Sequence, residues 1–276
     1  MTKQYGILAY PAKHSLSSAV QNAAFSYLKI DAQFGVFEIQ ENDVAAFMER
    51  VKNDPISGLS VSSPYKEVIM NYIDEVDEDA KKIGAVNTVV NRGGVLCGYN
   101  TDFIGATKAL ADAFGNLKNK KFVIIGAGGA ARAVVYGILK EGGIVEIYNR
   151  TSGKAKGLAD HFGKMFGVNI ISGDLKDMLS VTGDALIQTT SIWITEPGSV
   201  VEDLLPRDFV KNFKVVMDIV HKPLITPVLA AAKEYGIQII SCDKMFLYQA
   251  FEQFKLWTGK EPPREVMGET LKKSLV

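Results

Sequence analysis

Short apolar runs alternate with amphipathic stretches through the first part of the chain. The apolar runs predict strands at residues 5–10, 34–39, 57–61, 85–91 and 95–99. The stretches between them have apolar residues at helical spacing, and they predict helices at residues 16–28, at 43–51 and after Pro64. Gly93 and Gly94 predict a hairpin between the last two strands. The alternation of strands and helices favours a largely parallel sheet covered by helices, with an antiparallel edge at the hairpin.

From Lys120 onward the alternation is more regular. Strands are predicted at residues 122–125, 144–148, 168–171, 185–189, 215–220 and 237–240, with helices near Ala131 and Lys154. This succession is typical of a doubly wound, Rossmann-type nucleotide-binding domain. Two further helices, at residues 244–257 and 264–275, are expected to pack back on the first domain. The predicted fold is α/β with two domains, formed by residues 1–102 with 241–276 and by residues 103–240.

Composition and charge narrow the class of partner. Hydrophobic residues make up 47% of the 276 positions and charged residues 22%, which is ordinary for a globular protein. The 31 Lys and Arg residues balance 31 Asp and Glu residues. Because nucleic-acid binders usually carry a basic excess, we expect a small-molecule ligand and no nucleic acid. A monomer or a homodimer is expected.

Cysteine usage and hydropathy give expectations about metal content and location. Cys97 and Cys242 are the only cysteines, too few for a disulfide framework and wrongly spaced for a zinc site, so no metal is expected. The first eleven residues do not resemble a signal peptide, and no run reaches the ~18 apolar residues of a membrane helix. We therefore expect a cytoplasmic protein that does not span a membrane.

A glycine-rich segment follows the first strand of the predicted nucleotide-binding domain. It fits G-x-G-x-x-G/A with Gly126, Ala127, Gly128, Gly129, Ala130 and Ala131. The first Gly permits a tight turn, the second lets the backbone approach a pyrophosphate, and the following helix N-terminus attracts phosphate charge. A glycine-rich turn that serves only packing is the alternative. The strand before it and the helix after it favour the cofactor site.

The end of the next strand indicates which dinucleotide is bound. An acidic residue there would hold the ribose hydroxyl of NAD, but Glu146 lies two or three positions before the strand end. The strand end reads Asn149-Arg150-Thr151, with Lys154 one turn further on. Two cations at this place suit the 2′-phosphate of NADP. We therefore predict NADP as the cofactor, although an exposed Arg150 with no ligand is the simpler interpretation of that residue alone.

Two polar segments in the first domain are candidates for acid–base chemistry. Ser63-Pro64-Tyr65-Lys66 predicts a helix start with Lys66 in the first turn, where the helix dipole lowers the proton affinity of an ammonium. Asn100-Thr101-Asp102 begins another helix, in which these side chains could simply act as caps. If Asp102 meets Lys66, the pair could hold and transfer a proton. An ordinary solvated lysine is the alternative.

Together these motifs resemble the shikimate dehydrogenase family, which reduces 3-dehydroshikimate with NADPH in aromatic amino acid biosynthesis. The resemblance covers nearly the whole chain. It rests on segments at residues 14–17, 64–67, 84–88, 98–102, 126–132, 149–151, 226–229 and 249–259.

The resemblance implies roles for individual residues. It implies an inserted NADP domain and a substrate domain built from both chain ends. Lys66 and Asp102 would be the catalytic pair. The substrate's carboxylate and hydroxyls would be bound by Ser15, Ser17, Ser62, Asn87 and Gln249. The cofactor would be bound by the glycine-rich segment with Asn149, Arg150, Thr151, Lys154, Ser191 and Cys242.

Several positions depart from the family pattern. Ser62 stands where a Thr is usual, Gln188 where an Asn is usual, and His221 where a Tyr is usual. Trp193 and Cys242 each stand where a Gly is expected. We hypothesise that Trp193, His221 and Cys242 narrow the nicotinamide end of the site and slow turnover. Two alternatives stay open: a related enzyme acting on quinate or another ring polyol, and an NADP-binding sensor with weak catalysis.

Overall fold

The computed structural model describes residues 2–12, 15–54, 56–190, 206–220 and 223–275. Ser191, Trp193 and His221, singled out from the sequence, lie outside these ranges. The chain divides into two compact units, one formed by Met1–Ile104 with Leu247–Val276 and the other by Gly105–Phe246.

The described residues form the following strands and α-helices, numbered in chain order. The strands are β1 (Lys3–Ala9), β2 (Ala32–Glu38), β3 (Ile56–Val61), β4 (Glu75–Val76), β5 (Thr88–Arg92), β6 (Val95–Tyr99), β7 (Lys121–Ile125), β8 (Ile144–Tyr148), β9 (Ile171–Gly173), β10 (Ala185–Gln188), β11 (Val215–Asp218) and β12 (Gln238–Ile240). The α-helices are α1 (Ser17–Tyr27), α2 (Val44–Asn53), α3 (Glu78–Ile83), α4 (Asp102–Phe114), α5 (Gly129–Lys140), α6 (Ser152–Phe166), α7 (Pro227–Glu234), α8 (Cys242–Thr258) and α9 (Arg264–Ser274).

The sheet of the first unit is mixed, with strand order β2-β1-β3-β5-β6-β4. Strand β1 pairs in parallel with both β2 and β3, whereas β3, β5 and β6 pair antiparallel in turn. The antiparallel hairpin predicted at Gly93 and Gly94 is confirmed, and both glycines have positive φ, which the tight turn requires.

Helix α9 and the part of α8 from Leu247 onward belong to this first unit, and they pack back on it as predicted. Helix α9 packs against α1, and the side chain of Gln21 in α1 donates to the carbonyl of Ala250 in α8 at 3.1 Å. Trp257 near the end of α8 stacks on Tyr5 of β1, and its indole donates to the carbonyl of Val89 in β5 at 3.0 Å. The end of the sequence therefore completes the core begun by its first residues.

The sheet of the second unit is entirely parallel, with strand order β12-β11-β10-β7-β8-β9. Residues Phe122, Val123 and Ile124 of its central strand β7 are fully buried. Such a strand is covered on both faces, which explains why it reads as an uninterrupted apolar run. The chain order reverses between β7 and β10. The carboxyl ends of strands at such a switch point are where open α/β sheets bind ligands.

Two of the predicted elements are wrong. Residues 63–67 form turns, and a short 3-10 helix at Val68–Tyr72 replaces the α-helix predicted after Pro64. The strand predicted at residues 168–171 begins only at Ile171, because α6 ends at Gly167 in the left-handed conformation and Val168 is exposed. The short elements β4 and α3 were not predicted, since two and six residues carry too little periodicity.

Within the described ranges, no helix combines the length and the apolar character needed to cross a lipid bilayer. The same residues contain no group of three or more His, Cys, Asp or Glu side chains arranged to hold a metal ion.

Candidate active site

Lys66 and Asp102 meet in the first unit. Lys66 lies in the turn that follows β3, and Asp102 is the first residue of α4. The Nζ atom of Lys66 is 2.7 Å from Oδ2 of Asp102, and the two side chains are 17% and 7% exposed. An ion pair so well sheltered from water is less screened than a surface pair. This geometry fits a held proton donor, and it differs from that of a solvated lysine.

The position of Lys66 corrects one part of the sequence argument. Because residues 63–67 form turns, Lys66 does not lie in the first turn of a helix, and a helix dipole does not explain its environment. The segment is instead fixed by its neighbours. The backbone carbonyl of Lys66 accepts from the amide of Val86 at 2.7 Å, and the adjacent Tyr65 is buried. The lysine therefore projects from an anchored turn.

Asn100 positions the start of α4. Its Oδ1 accepts from the backbone amide of Asp102 at 3.0 Å and from that of Phe103 at 3.4 Å, while its Nδ2 donates to the carbonyl of Ala85 at 2.9 Å. The side chain of Asn100 thus caps the helix. Because Asn100 does the capping, the carboxylate of Asp102 remains available to Lys66.

Asn87 binds the other oxygen of the Asp102 carboxylate. Its Nδ2 donates to Oδ1 of Asp102 at 2.8 Å and to Oγ1 of Thr101 at 2.9 Å, and its Oδ1 accepts from the backbone amide of Thr101 at 2.7 Å. Oε1 of Gln249 is 3.5 Å from Nδ2 of Asn87. The structure therefore brings Lys66, Asp102, Asn87 and Gln249 into one cluster.

Of the three serines predicted to bind substrate, Ser62 lies just after the carboxyl end of β3, and Ser15 and Ser17 lie at the start of α1. Oγ of Ser15 accepts from the backbone amide of Ser17, the first residue of α1, at 3.2 Å. Ser17 is buried in the first turn of that helix. Ser62 follows β3 and is half-buried, and its backbone amide donates to the carbonyl of Leu8 in β1.

Polar residues that were not predicted to bind substrate or to act in catalysis complete the surroundings of Asn87. Thr88 and Thr101 contact Asn87 directly, and Gln253 donates to the backbone carbonyl of Asn87 at 3.1 Å. All three are buried. A polar residue within an apolar predicted strand, such as Thr88, is a signal of a buried polar contact. The sequence does not show its partner, because Gln253 in α8 is 165 residues away.

The glycine-rich segment forms the turn between β7 and α5 in the second unit. Gly126 has φ of +121°, and a Cβ there would overlap the hydroxyl of Thr189 beyond β10. Gly128 is the N-cap of α5, and a Cβ built on it would have no atom within 4 Å. Buried Ala131 lets α5 sit close to the sheet, while Ala127, Gly129 and Ala130 are half-buried. The open space at a helix N-terminus fits a pyrophosphate.

The segment after β8 is exposed and basic. Arg150, Thr151 and Lys154 are all exposed, and Asn149 is half-buried with its Nδ2 donating to the carbonyl of Thr151 at 3.1 Å. Thr151 is the N-cap of α6. Two flexible cations beside a helix N-terminus can surround a phosphate group.

Glu146 is already engaged within the sheet. Its Oε1 is 2.7 Å from Nζ of Lys121, and the phenol of Tyr148 donates to its Oε2 at 3.2 Å. Burial, with a smaller contribution from the charge of Glu146, raises the pKa of Tyr148 to about 12, so the phenol stays a donor. A buried carboxylate with two partners in mid-strand is not placed to bind a ribose hydroxyl.

Asp218 and Cys242 are buried polar groups near the ends of β11 and β12. Burial raises the pKa of Asp218 to about 6, and this effect is opposed by donors from Thr226 Oγ1 at 2.7 Å and the amide of Val220 at 2.9 Å. Burial also raises the pKa of Cys242 to about 12, so its thiol is neutral. Gln188 is fully buried, and its side chain bonds the backbone of Thr190.

Three family models match successive parts of the chain. A shikimate dehydrogenase substrate binding domain matches residues 7–89, a shikimate/quinate 5-dehydrogenase domain matches residues 108–227, and a shikimate 5′-dehydrogenase C-terminal domain matches residues 244–272.

Individual relatives are similar over almost their whole length. The shikimate dehydrogenase (NADP(+)) of Pyrococcus abyssi is 41% identical over 96% of both chains. A crystal structure of a shikimate dehydrogenase in complex with NADP+ has a TM-score of 0.90 at 36% identity, covering 100% of this chain and 96% of the other. A quinate dehydrogenase from Corynebacterium glutamicum in complex with NAD has a TM-score of 0.86 at 26% identity, covering 99% of each. With its sheltered lysine–aspartate pair, its glycine-rich turn and this similarity over the full length, the chain belongs to the shikimate dehydrogenase family.

Proposed function

We propose that this protein catalyses the reversible, NADP-dependent reduction of 3-dehydroshikimate to shikimate in aromatic amino acid biosynthesis. Family membership supports the reaction, and the observation that carries it is the sheltered contact between Lys66 and Asp102. A proton donor held beside a carboxylate is what the reduction of a ketone to a secondary alcohol requires.

The reaction needs a hydride and a proton. When bound, NADPH supplies the hydride to the ketone carbon. The carbonyl oxygen gains negative charge as the C–H bond forms, and the ammonium of Lys66 gives it a proton. In the oxidation of shikimate the neutral amine of Lys66 accepts the hydroxyl proton instead. Lys66 therefore acts as general acid in one direction and general base in the other.

Asp102 and Asn87 prepare Lys66 for this step. One carboxylate oxygen of Asp102 holds the ammonium, and the other is held by the amide of Asn87. With both oxygens engaged, the carboxylate has a fixed orientation, so Lys66 need not reorganise before proton transfer.

The polar residues around the pair suit a ring acid with several hydroxyls. We propose that Ser15, Ser17 and Ser62 donate to the substrate carboxylate and hydroxyls, and that Asn87 and Gln249 bind ring hydroxyls. Hydroxyl and amide groups can each donate and accept, which a polyhydroxylated ligand requires.

For the cofactor, we propose that Gly126–Ala131 bind the pyrophosphate and that Arg150 and Lys154, with Asn149 and Thr151, bind the 2′-phosphate. The exposed basic side chains and the engaged Glu146 support NADP over NAD. Cys242 is proposed to lie beside the nicotinamide half, and Ser191, which is outside the described residues, is proposed to bind the cofactor as well. A monomer or homodimer, and a cytoplasmic location, stay predictions from the sequence.

The decisive experiment measures nicotinamide reduction with shikimate and with quinate, each with NADP and with NAD. Shikimate with NADP should give the highest kcat/KM. Faster turnover of quinate would reassign the substrate, and the similarity to a quinate dehydrogenase makes that comparison necessary. Tight NADP binding with no turnover of either acid would identify a sensor.

A further inference from the structure

A line of buried polar side chains leads from α8 to the carboxylate of Asp102. Its members are Gln253, Thr88 and Asn87, which are 0%, 0% and 2% exposed. Gln253 Nε2 is 3.0 Å from Thr88 Oγ1, which is 2.8 Å from Asn87 Oδ1. Nδ2 of Asn87 then donates to Asp102 at 2.8 Å. Buried polar groups that bond one another in series can polarise each other.

The direction of the Asn87 amide is fixed by a backbone group. The amide N–H of Thr101 can only donate, and it is 2.7 Å from one end of the Asn87 side chain. That end must therefore be the oxygen, Oδ1, and Nδ2 must face Asp102. The reversed orientation would place two acceptors, Asn87 Oδ1 and Asp102 Oδ1, against each other.

The hydroxyl of Thr88 has one hydrogen, which it donates to Oδ1 of Asn87. Thr88 Oγ1 lies between Oδ1 of Asn87, which is an acceptor, and Nε2 of Gln253, which is a donor. The hydroxyl can satisfy both neighbours only by donating to Asn87 and accepting from Gln253.

The direction of the Gln253 amide is fixed in the same way. Its Nε2 is 3.1 Å from the backbone carbonyl of Asn87, which can only accept, and 3.2 Å from the hydroxyl of Ser60. Its Oε1 has no hydrogen-bond partner among the described residues. The Gln253 amide keeps this orientation although its Oε1 makes no hydrogen bond there. The contacts of Nε2 therefore determine the orientation of the amide.

We propose that Thr88 and Gln253 are positioning residues, which act through the directional donor chain Gln253–Thr88–Asn87 to hold the Asp102 carboxylate against Lys66. Each of the three hydrogen bonds that link Gln253, Thr88, Asn87 and Asp102 is donated in the direction of Asp102. The inference rests on the proposed function only for its kinetic readout. Neither Thr88 nor Gln253 touches the substrate or the transferred proton, but both residues determine the position of the Lys66 ammonium.

The test compares two substitutions at Thr88. Thr88→Val keeps the shape but removes the hydroxyl, whereas Thr88→Ser keeps the hydroxyl. Thr88→Val should lower kcat roughly 10-fold or more, because small displacements of a catalytic group reduce the rate strongly. NADP affinity should stay within about twofold, because the donor chain orients a proton donor and binds no nucleotide. Thr88→Ser should restore most of kcat. Thr270→Val in α9 is the matched control, because among the described residues the Thr270 hydroxyl bonds only the carbonyl of Val266.

A second readout does not depend on activity. A crystal structure of Thr88→Val should show Asn87 Nδ2 displaced from Asp102 Oδ1, and Gln253→Met should produce the same displacement if Thr88→Val does not fold. An inactive wild type would refute the proposed function but leave this measurement intact. If Thr88→Val lowers only the melting temperature, with kcat and the Asn87–Asp102 contact unchanged, the donor chain is merely structural and the inference is wrong.

Discussion

Lys66 and Asp102 are 36 positions apart in the sequence and meet at 2.7 Å, nitrogen to carboxylate oxygen. The turn after β3 supplies one and the first residue of α4 the other. Neither position is exposed enough for the contact to be a chance surface pairing.

Replacing Lys66 with Met should lower kcat by about 10²–10⁴-fold, the usual effect of losing a general acid or base. Methionine has nearly the same length, so substrate affinity should change much less. Steady-state kinetics with shikimate and NADP measure both quantities. Lys81→Met, which removes an exposed lysine paired with Glu78 on α3, is the control and should behave as wild type. A Lys66→Met enzyme retaining more than half of the wild-type kcat would rule out this lysine as the proton donor.

Replacing Gly128 with Ala should leave folding intact and weaken nucleotide binding. The backbone φ of −92° suits alanine, and the added methyl meets no protein atom within 4 Å. It would occupy the space proposed for the pyrophosphate, so affinities for NADP and NAD should fall by the same factor, about 10-fold or more. Fluorescence titration measures both.

Two other glycines provide the controls for that experiment. Gly157→Ala in α6, where the methyl also meets nothing, should change neither affinity. Gly126→Ala should destabilise the fold itself, because of the positive φ and the overlap with Thr189. Unchanged nucleotide affinity in Gly128→Ala would show that the pyrophosphate is bound elsewhere.

Arg150→Asp should reverse part of the cofactor preference. The change removes a cation that would bind the 2′-phosphate and puts a carboxylate in its place, so NADP affinity should fall by roughly 1.5–3 kcal/mol, or about 10- to 150-fold. NAD affinity should fall less. Lys164→Asp makes the same charge change in the last turn of α6 and should leave the NADP-to-NAD ratio unchanged. A wild type that prefers NAD would contradict the interpretation of the strand end.

Asp218 should make stability depend on pH. Its pKa is raised from 3.8 to about 6, so the folded protein binds this proton more tightly than the unfolded chain does. The stabilisation is therefore fully present below about pH 4 and is lost as pH rises through 6. Relative to Asp218→Asn, wild type should lose about 2 kcal/mol of unfolding free energy between pH 4.5 and 7.5, out of about 3 kcal/mol over the whole titration. Urea denaturation at several pH values measures the unfolding free energy of both proteins. If the two free energies change with pH by the same amount, the prediction is wrong.

The sequence predicted the second unit better than the first. Its central strands β7, β10 and β11 are buried, so they appear as apolar runs, and the glycine-rich turn follows one such run. The local structure around Lys66 was harder to predict, because Ser-Pro before an amphipathic stretch has the pattern of a helix start. The segment is a turn because Tyr65 is buried and the amide of Val86 bonds the Lys66 carbonyl.

The contacts of Asn87 with Thr88 and Gln253 could not be predicted from local pattern. Thr88 stands out only as a polar residue in an apolar strand, and Gln253 looks like an ordinary helix residue. Their hydrogen bond joins positions 165 apart, and it depends on how α8 packs beside β5. Periodicity reports which face of an element is buried, but not which polar atom of another element meets it.

The discontinuity of the first unit also sets an order of events during synthesis. Residues 1–104 leave the ribosome first, yet Gln253 and Trp257, which complete their core, follow the whole of Gly105–Phe246. At about 5–20 residues per second, Thr88 waits on the order of ten seconds for its partner. Nearly all of that interval is spent on the synthesis of the all-parallel unit, whose last residue, Phe246, precedes Gln253 by seven positions. The sequence of the nucleotide-binding half is therefore complete before Gln253 and Trp257 can complete the proton-transfer half, and a nascent chain stalled at Phe246 would hold all of the former without the last partners of the catalytic centre.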